Sequence, residues 1–219
     1  YQRLLSFEVG GMPGGFSLFG EPPPQTMLTA YGLMEFTDMS QVSYVDPMLI
    51  DRTALFLFQR QQSDGSWAPE GLTIESGLEG LGNNTLLPTA YVTWALADAG
   101  YASSEPVQRA VGYLQSQLAQ FLQPSVQAGQ STSPLATPPA QLDPYVVAMV
   151  ANALIAADPQ GAAGPIDQLI TQLRNSAQED ANGYFSWSSG MVTYMGGSGE
   201  VSNIETAAMT AIALLRLDQ

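Results

Sequence analysis

The side chains that could do chemistry here are carboxylates. The 219-residue chain has no Cys and no His, which removes thiol nucleophiles, imidazole bases, disulfides and the usual zinc or copper ligand sets together. Asp64, Glu70, Glu75 and Glu79 share one long loop, and Asp180, Glu200 and Glu205 lie in or beside another. Loop carboxylates on a rigid scaffold can supply the general acid and base of glycoside hydrolysis or elimination. Against that reading, the stretch 64–84 also holds Leu72, Ile74, Leu78 and Leu81, so its acids equally serve to keep an apolar loop soluble. Ser and Thr nucleophiles lack a base partner at any readable spacing. No metal site and no cofactor is expected. Asn83-Asn84-Thr85 fits a glycosylation acceptor but reads as a turn before a helix.

Composition narrows the partners. With 6 basic and 20 acidic residues the net charge is −14, which argues against nucleic acid or an anionic membrane surface, since both need Lys and Arg to displace counterions. Membrane insertion by this segment is not expected either. The longest apolar run, Val146 to Ala157, is interrupted by Asn152 and falls short of the roughly 20 residues of a span.

The elements that would position such loops are helical. In Leu87 to Gly100, Tyr91, Trp94, Ala95 and Asp98 fall at helical spacing, apolar residues fill the other faces, and Gly100 stands where a helix end wants positive φ. Leu28–Phe36, Pro144–Ala157 and Glu205–Leu217 read as copies, with Tyr31, Tyr91, Tyr145 and Ala208 in register at spacings of 60, 54 and 63 residues. Between the copies lie amphipathic helices. One is predicted from Asp46-Pro47 to Gln62 on Met48, Leu49, Leu55, Phe56 and Phe58. A second runs from Ser104-Glu105-Pro106 to Phe121 on Val107, Ala110, Val111, Leu114 and Leu118. The third starts at Gly164-Pro165 and carries Ile166, Leu169, Ile170 and Leu173. Inner helices touch neighbours on every side and outer ones on one, which accounts for the alternation.

The predicted fold is therefore all-α: an incomplete α/α toroid of about three and a half helical hairpins, one domain over 1–219. Residues 123–142, rich in Pro, Ser and Gln, read as an exposed connector within it. Tyr1 to Pro24 is too rich in Gly and Pro for a long helix. Met27, Met34, Met39 and Met48 read as core filler. The last helix, apolar yet without an outer mate, and the start at Tyr1-Gln2-Arg3 both suggest a piece of a larger protein.

Two turns share a wording, Asp64-Gly65-Ser66-Trp67 and Asn182-Gly183-Tyr184-Phe185-Ser186-Trp187. In each, the Gly permits a tight turn and the Trp folds back as a staple between repeats. Gly15-Phe16-Ser17-Leu18-Phe19 is a weaker third instance.

The sequence is similar to a known family through pieces in a fixed order: Tyr1-Gln2-Arg3, Phe19-Gly20-Glu21, Leu28-Thr29-Ala30-Tyr31, Gln59-Arg60-Gln61 followed by Asp64-Gly65-Ser66-Trp67, Thr89-Ala90-Tyr91-Val92 with Ala95-Leu96, and Glu205-Thr206-Ala207. This order resembles the thioester-containing domain of the alpha-macroglobulin and complement family, over nearly the whole chain. The resemblance implies an α/α toroid inside a large extracellular, periplasmic or cell-surface protein. That protein would act as a broad endopeptidase inhibitor rather than an enzyme. Its partners would be proteases, met through the parent protein, and other domains of the same polypeptide. In the family a Cys-x-Glu-Gln thioester, kept dry until a protease triggers a rearrangement, acylates a nearby amine. That motif belongs upstream of these residues, and some bacterial relatives lack it. Matching Leu78-Glu79-Gly80-Leu81 to the family's thioester-proximal loop implicates Glu70, Ile74, Glu75 and Asn83, with the His of complement-type members falling near Ile74 or Glu75. No His stands there, which implies direct reaction with amines. A carbohydrate-active enzyme using loop carboxylates, or a non-catalytic binding scaffold, are the alternative readings.

Overall fold

The computed structural model describes residues 2–69, 85–122, 142–193 and 196–218. The chain is mostly helical. A single turn, α1 (Gln2–Leu5), precedes an irregular loop, and α2 (Thr26–Val42) and α3 (Pro47–Gln59) form the first hairpin. The second pairs α4 (Leu86–Leu96), prolonged by a π turn (Ala97–Tyr101), with α5 (Glu105–Leu122). The third pairs α6 (Pro144–Ala157) with α7 (Ala163–Ser176), and α8 (Glu200–Leu217) follows. Contacts run α2–α4–α6–α8 along the inner layer, while α3, α5 and α7 pack on α2, α4 and α6. That is the arc of an α/α toroid.

Local chemistry sets the helix starts. Asp46 accepts from Met48 N–H (3.0 Å) and Asp143 from Tyr145 N–H (2.9 Å), each just ahead of a Pro at the first helical position. Gly100, at φ +92°, turns the chain out of the π segment. All eleven residues of α4 are buried, and Asn152, which interrupts the apolar run of α6, is fully buried too. Its side-chain N–H₂ donates to Ala148 O and to Met209 O (2.8 Å), so the polar break in the sequence ties α6 to α8.

The structure corrects several expectations. The first outer helix ends at Gln59 rather than Gln62, because Gln62 N–H turns back to Ser66 O and closes a loop instead of another helical turn. Its buried stripe is Leu49, Thr53, Ala54, Phe56 and Leu57. Met48 and Leu55 lie a seven-residue step apart on the opposite face and are exposed, so Met48 is not core. Phe19 is exposed as well. α8 starts at Glu200, a turn earlier than read from its apolar run. A two-stranded antiparallel hairpin, β1 (Gln178–Glu179) with β2 (Phe185–Ser186), is an addition. Of the segment 123–142, only Leu142 is described: it is half-buried against the core and its carbonyl accepts from Gln172, and the rest of the expected connector lies outside the described residues.

Candidate functional site

The described loop segments ahead of α2, α4 and α8 lie at the end of the arc where those inner helices begin. Each described loop is docked by a backbone N–H donating to a side chain in the first turns of its inner helix. Phe16 N–H reaches Thr29 Oγ1 (2.9 Å), Trp67 N–H reaches Thr89 Oγ1 (3.0 Å), and Ser189 N–H reaches Asn203 Oδ1 (2.8 Å). The two threonines occupy the same place in Leu28-Thr29-Ala30-Tyr31 and Pro88-Thr89-Ala90-Tyr91. That repeated Thr was the available signal for the docking bond.

The first two loops share a second feature. Gly14 (φ +82°) and Gly65 (φ +90°) press against the following outer helix, where a Cβ would stand 2.1 Å from Arg52 O and 2.6 Å from Arg109 O. Only glycine fits both the backbone and the gap. The equivalence is Gly14–Phe16 with Gly65–Trp67. Trp67 is fully buried, and its indole N–H donates to Leu57 O (2.8 Å). Phe16, also buried, tilts against Phe36 at 5.3 Å.

Trp187 repeats one part of this, donating its indole N–H to Leu173 O (2.7 Å), but is only half-buried. Gly183 does not repeat Gly65. It sits at the exposed tip of the β1–β2 hairpin at φ +83°, and a Cβ there would meet nothing nearer than Glu179 Oε1 at 3.9 Å.

The carboxylates that can be placed serve the turns. Asp64 accepts from Ser66 N–H (2.9 Å) and Ser66 Oγ–H (2.7 Å), and these bonds hold its pKa below the ordinary value. Asp180 is lowered likewise, by Tyr184 N–H and Asn182 N–H. A lowered pKa is the wrong direction for a general acid. Asp143 accepts from Ser189 Oγ–H (2.8 Å) and Gly190 N–H (2.9 Å) besides capping α6. Glu8 receives a two-pronged contact from Arg52 (2.7 and 2.9 Å) and accepts from Gly14 N–H; the guanidinium holds its carboxyl below the usual range. Among the described residues there is no cluster of three or more metal-ligating side chains and no helix long and apolar enough to cross a membrane. Glu70, Ile74, Glu75, Glu79 and Asn83 lie outside the described residues.

At the opposite end, the π turn gathers three repeats. Asp98 holds Arg216 of α8 through two bonds (2.8 and 2.6 Å) and accepts from the Trp94 indole (2.7 Å), while Arg216 stacks over the Trp94 ring. Tyr101 donates to Asp51 of α3 (2.5 Å); burial first, then the Asp51 carboxylate, pushes the phenol up to about 12. The loop end of the arc is thus pinned from behind. Sequence pairing could not reveal Asp98 with Arg216, 118 residues apart.

The A-macroglobulin TED domain, the thioester-containing domain of that family, matches residues 1–217 of the chain. The chain belongs to the alpha-macroglobulin family. It is also similar to ovostatin from Gallus gallus, 31% identical over 115 residues. That match takes in 52% of this chain but only 8% of ovostatin. A thioester-domain portion explains the order of pieces read from the sequence.

Proposed function

We propose that residues 1–219 act as one α/α-toroid unit within an alpha-macroglobulin-type inhibitor that traps endopeptidases of several classes and is itself no enzyme. The observation that carries this reading is the family match across essentially the whole chain. The parent works outside the cytoplasm, at the cell surface, in the periplasm or beyond the cell, where it meets proteases. The toroid holds the reactive end of the molecule rigid. Its docked loops, pinned on Thr29, Thr89 and Asn203, form the wall against which a thioester is kept dry.

This chain has no Cys, so the bond-forming Cys and Gln belong to other residues of the parent. When it is exposed, an amine nitrogen attacks the thioester carbonyl, the amide bond forms, and the thiolate leaves and takes up the proton. With no His in the chain to relay through, direct attack by lysine amines is the favoured route, and resemblance to the family makes the loop that carries Glu70, Ile74, Glu75 and Asn83 the equivalent of the thioester-proximal region. The test is inhibition by the parent protein. Serine and metalloproteases should lose activity on a protein substrate and keep it on a short peptide, because trapping blocks access rather than the active site. Equal loss on both substrates, or no loss on either, would refute trapping.

A further inference from the structure

Every basic side chain in the sequence is an arginine: Arg3, Arg52, Arg60, Arg109, Arg174 and Arg216 carry all 6 positive charges against 20 acids. Lysine is ordinarily among the commonest residues of a soluble domain. Geometry accounts for arginine at some of these places. Arg52 and Arg216 make two-pronged contacts with Glu8 and Asp98, Arg60 donates to Pro24 O while lying over the Phe56 ring, and Arg109 donates to Gln61. It does not account for Arg3 and Arg174, which are exposed in the last turns of α1 and α7, where any cation favours the helix end. A lysine would serve as well there.

What all these cations share is nitrogen that cannot attack an acyl group. The guanidinium stays protonated and delocalised, with a pKa above about 12, whereas the lysine amine, at about 10.4, supplies some free base at neutral pH. We infer that the arginine-only cation set is a specificity device of the trap: it keeps the toroid from capturing its own thioester, so that the acyl group passes to the protease. This rests on the amine-reactive reading above. An amine on the toroid would meet the exposed thioester at about millimolar effective concentration and compete with the incoming protease. Its nitrogen lone pair would attack the thioester carbonyl, forming the carbon–nitrogen bond of an amide. The carbon–sulfur bond would break, and the thiolate would leave and take up the amine's proton. The trap would then be spent without a catch.

The test puts amines on exposed positions of the docked loops in the parent protein. Ala68→Lys lies just beyond the Gly65–Trp67 turn, and Ser188→Lys stands beside Ser189, which is docked on Asn203. After activation by a protease, each variant should cross-link at least fivefold less protease than the unmodified parent. Peptide mapping should find an amide between the thioester Gln and the introduced lysine. Ala68→Arg and Ser188→Arg, equal in charge, should trap as the unmodified parent does, and so should Gln41→Lys, exposed at the far end of α2. Full trapping by both loop lysine variants, with no internal amide, would overturn the inference while leaving amine trapping intact. Equal loss in the arginine variants would overturn it too, because the effect would then be steric. An unmodified parent that forms no protease cross-link would remove the amine-trapping reading, and this inference with it.

Discussion

Gly65–Trp67 and Gly183–Trp187 read alike in sequence and do different work. Around Gly65 the backbone lies against Arg109 of the next outer helix, and Trp67 is sealed between Thr89 and Leu57. Around Gly183 the chain turns in open solvent, and the Trp187 indole reaches back to the arc. The difference teaches that a positive-φ glycine beside a tryptophan signals a turn, whereas close approach to another backbone makes the turn a joint between repeats. Gly14, which lacks a tryptophan after it, is such a joint.

Substitutions separate the two turns, and denaturant unfolding measures each. Trp67→Ala should cost about 4 kcal/mol, from a large buried ring and its cavity, against about 2 kcal/mol for the half-buried Trp187→Ala. Equal losses would mean that both turns are joints. Gly65→Ala should cost about 3 kcal/mol, combining the strain of positive φ with a Cβ driven into a helical carbonyl that cannot retreat. Gly183→Ala keeps only the strain, about 1 kcal/mol. Thr89→Val leaves Trp67 N–H unpaired in the core and should lose about 1.5 kcal/mol.

The smallest effect concerns the first joint and its pH dependence. Glu8 has its pKa depressed in the fold, so the Glu8–Arg52 contribution is present above the ordinary carboxylate value of 4.5 and disappears as pH falls through the lower folded value. Glu8→Gln should therefore lower stability at neutral pH by about 1 kcal/mol, the contact being partly solvent-screened. It should also flatten the acid limb of the stability profile. A Gln variant with an unchanged acid limb would remove Glu8 from the first joint.

Much of the arc was legible because its causes are local. Asp46-Pro47 and Asp143-Pro144 carry their capping chemistry in adjacent residues, and the mostly apolar wording of Leu87–Leu96 and Val146–Ala157 reports contact on every side. Joints were not legible, because Gly65 and Gly183 differ only in what another segment brings near them. The exposure of Met48 and Leu55 was missed for a related reason, since an apolar residue on an outer helix reads as core unless its angle about the axis is worked out. The Asp98–Arg216 clasp depends on inner helices converging across the arc, which no short pattern encodes. The thioester-proximal loop was read through family resemblance alone, and Glu70, Ile74, Glu75 and Asn83 stay part of the proposal.

A protease trap that reacts with amines leaves a covalent record, which peptide mapping by mass spectrometry reads in the parent protein after exposure to a lysine-bearing protease. An amide cross-link from the Gln of the parent's thioester to a protease lysine is expected. Cross-links found mainly as esters to serine or threonine, or no cross-link from a parent that does carry the Cys-x-Glu-Gln motif, would contradict it.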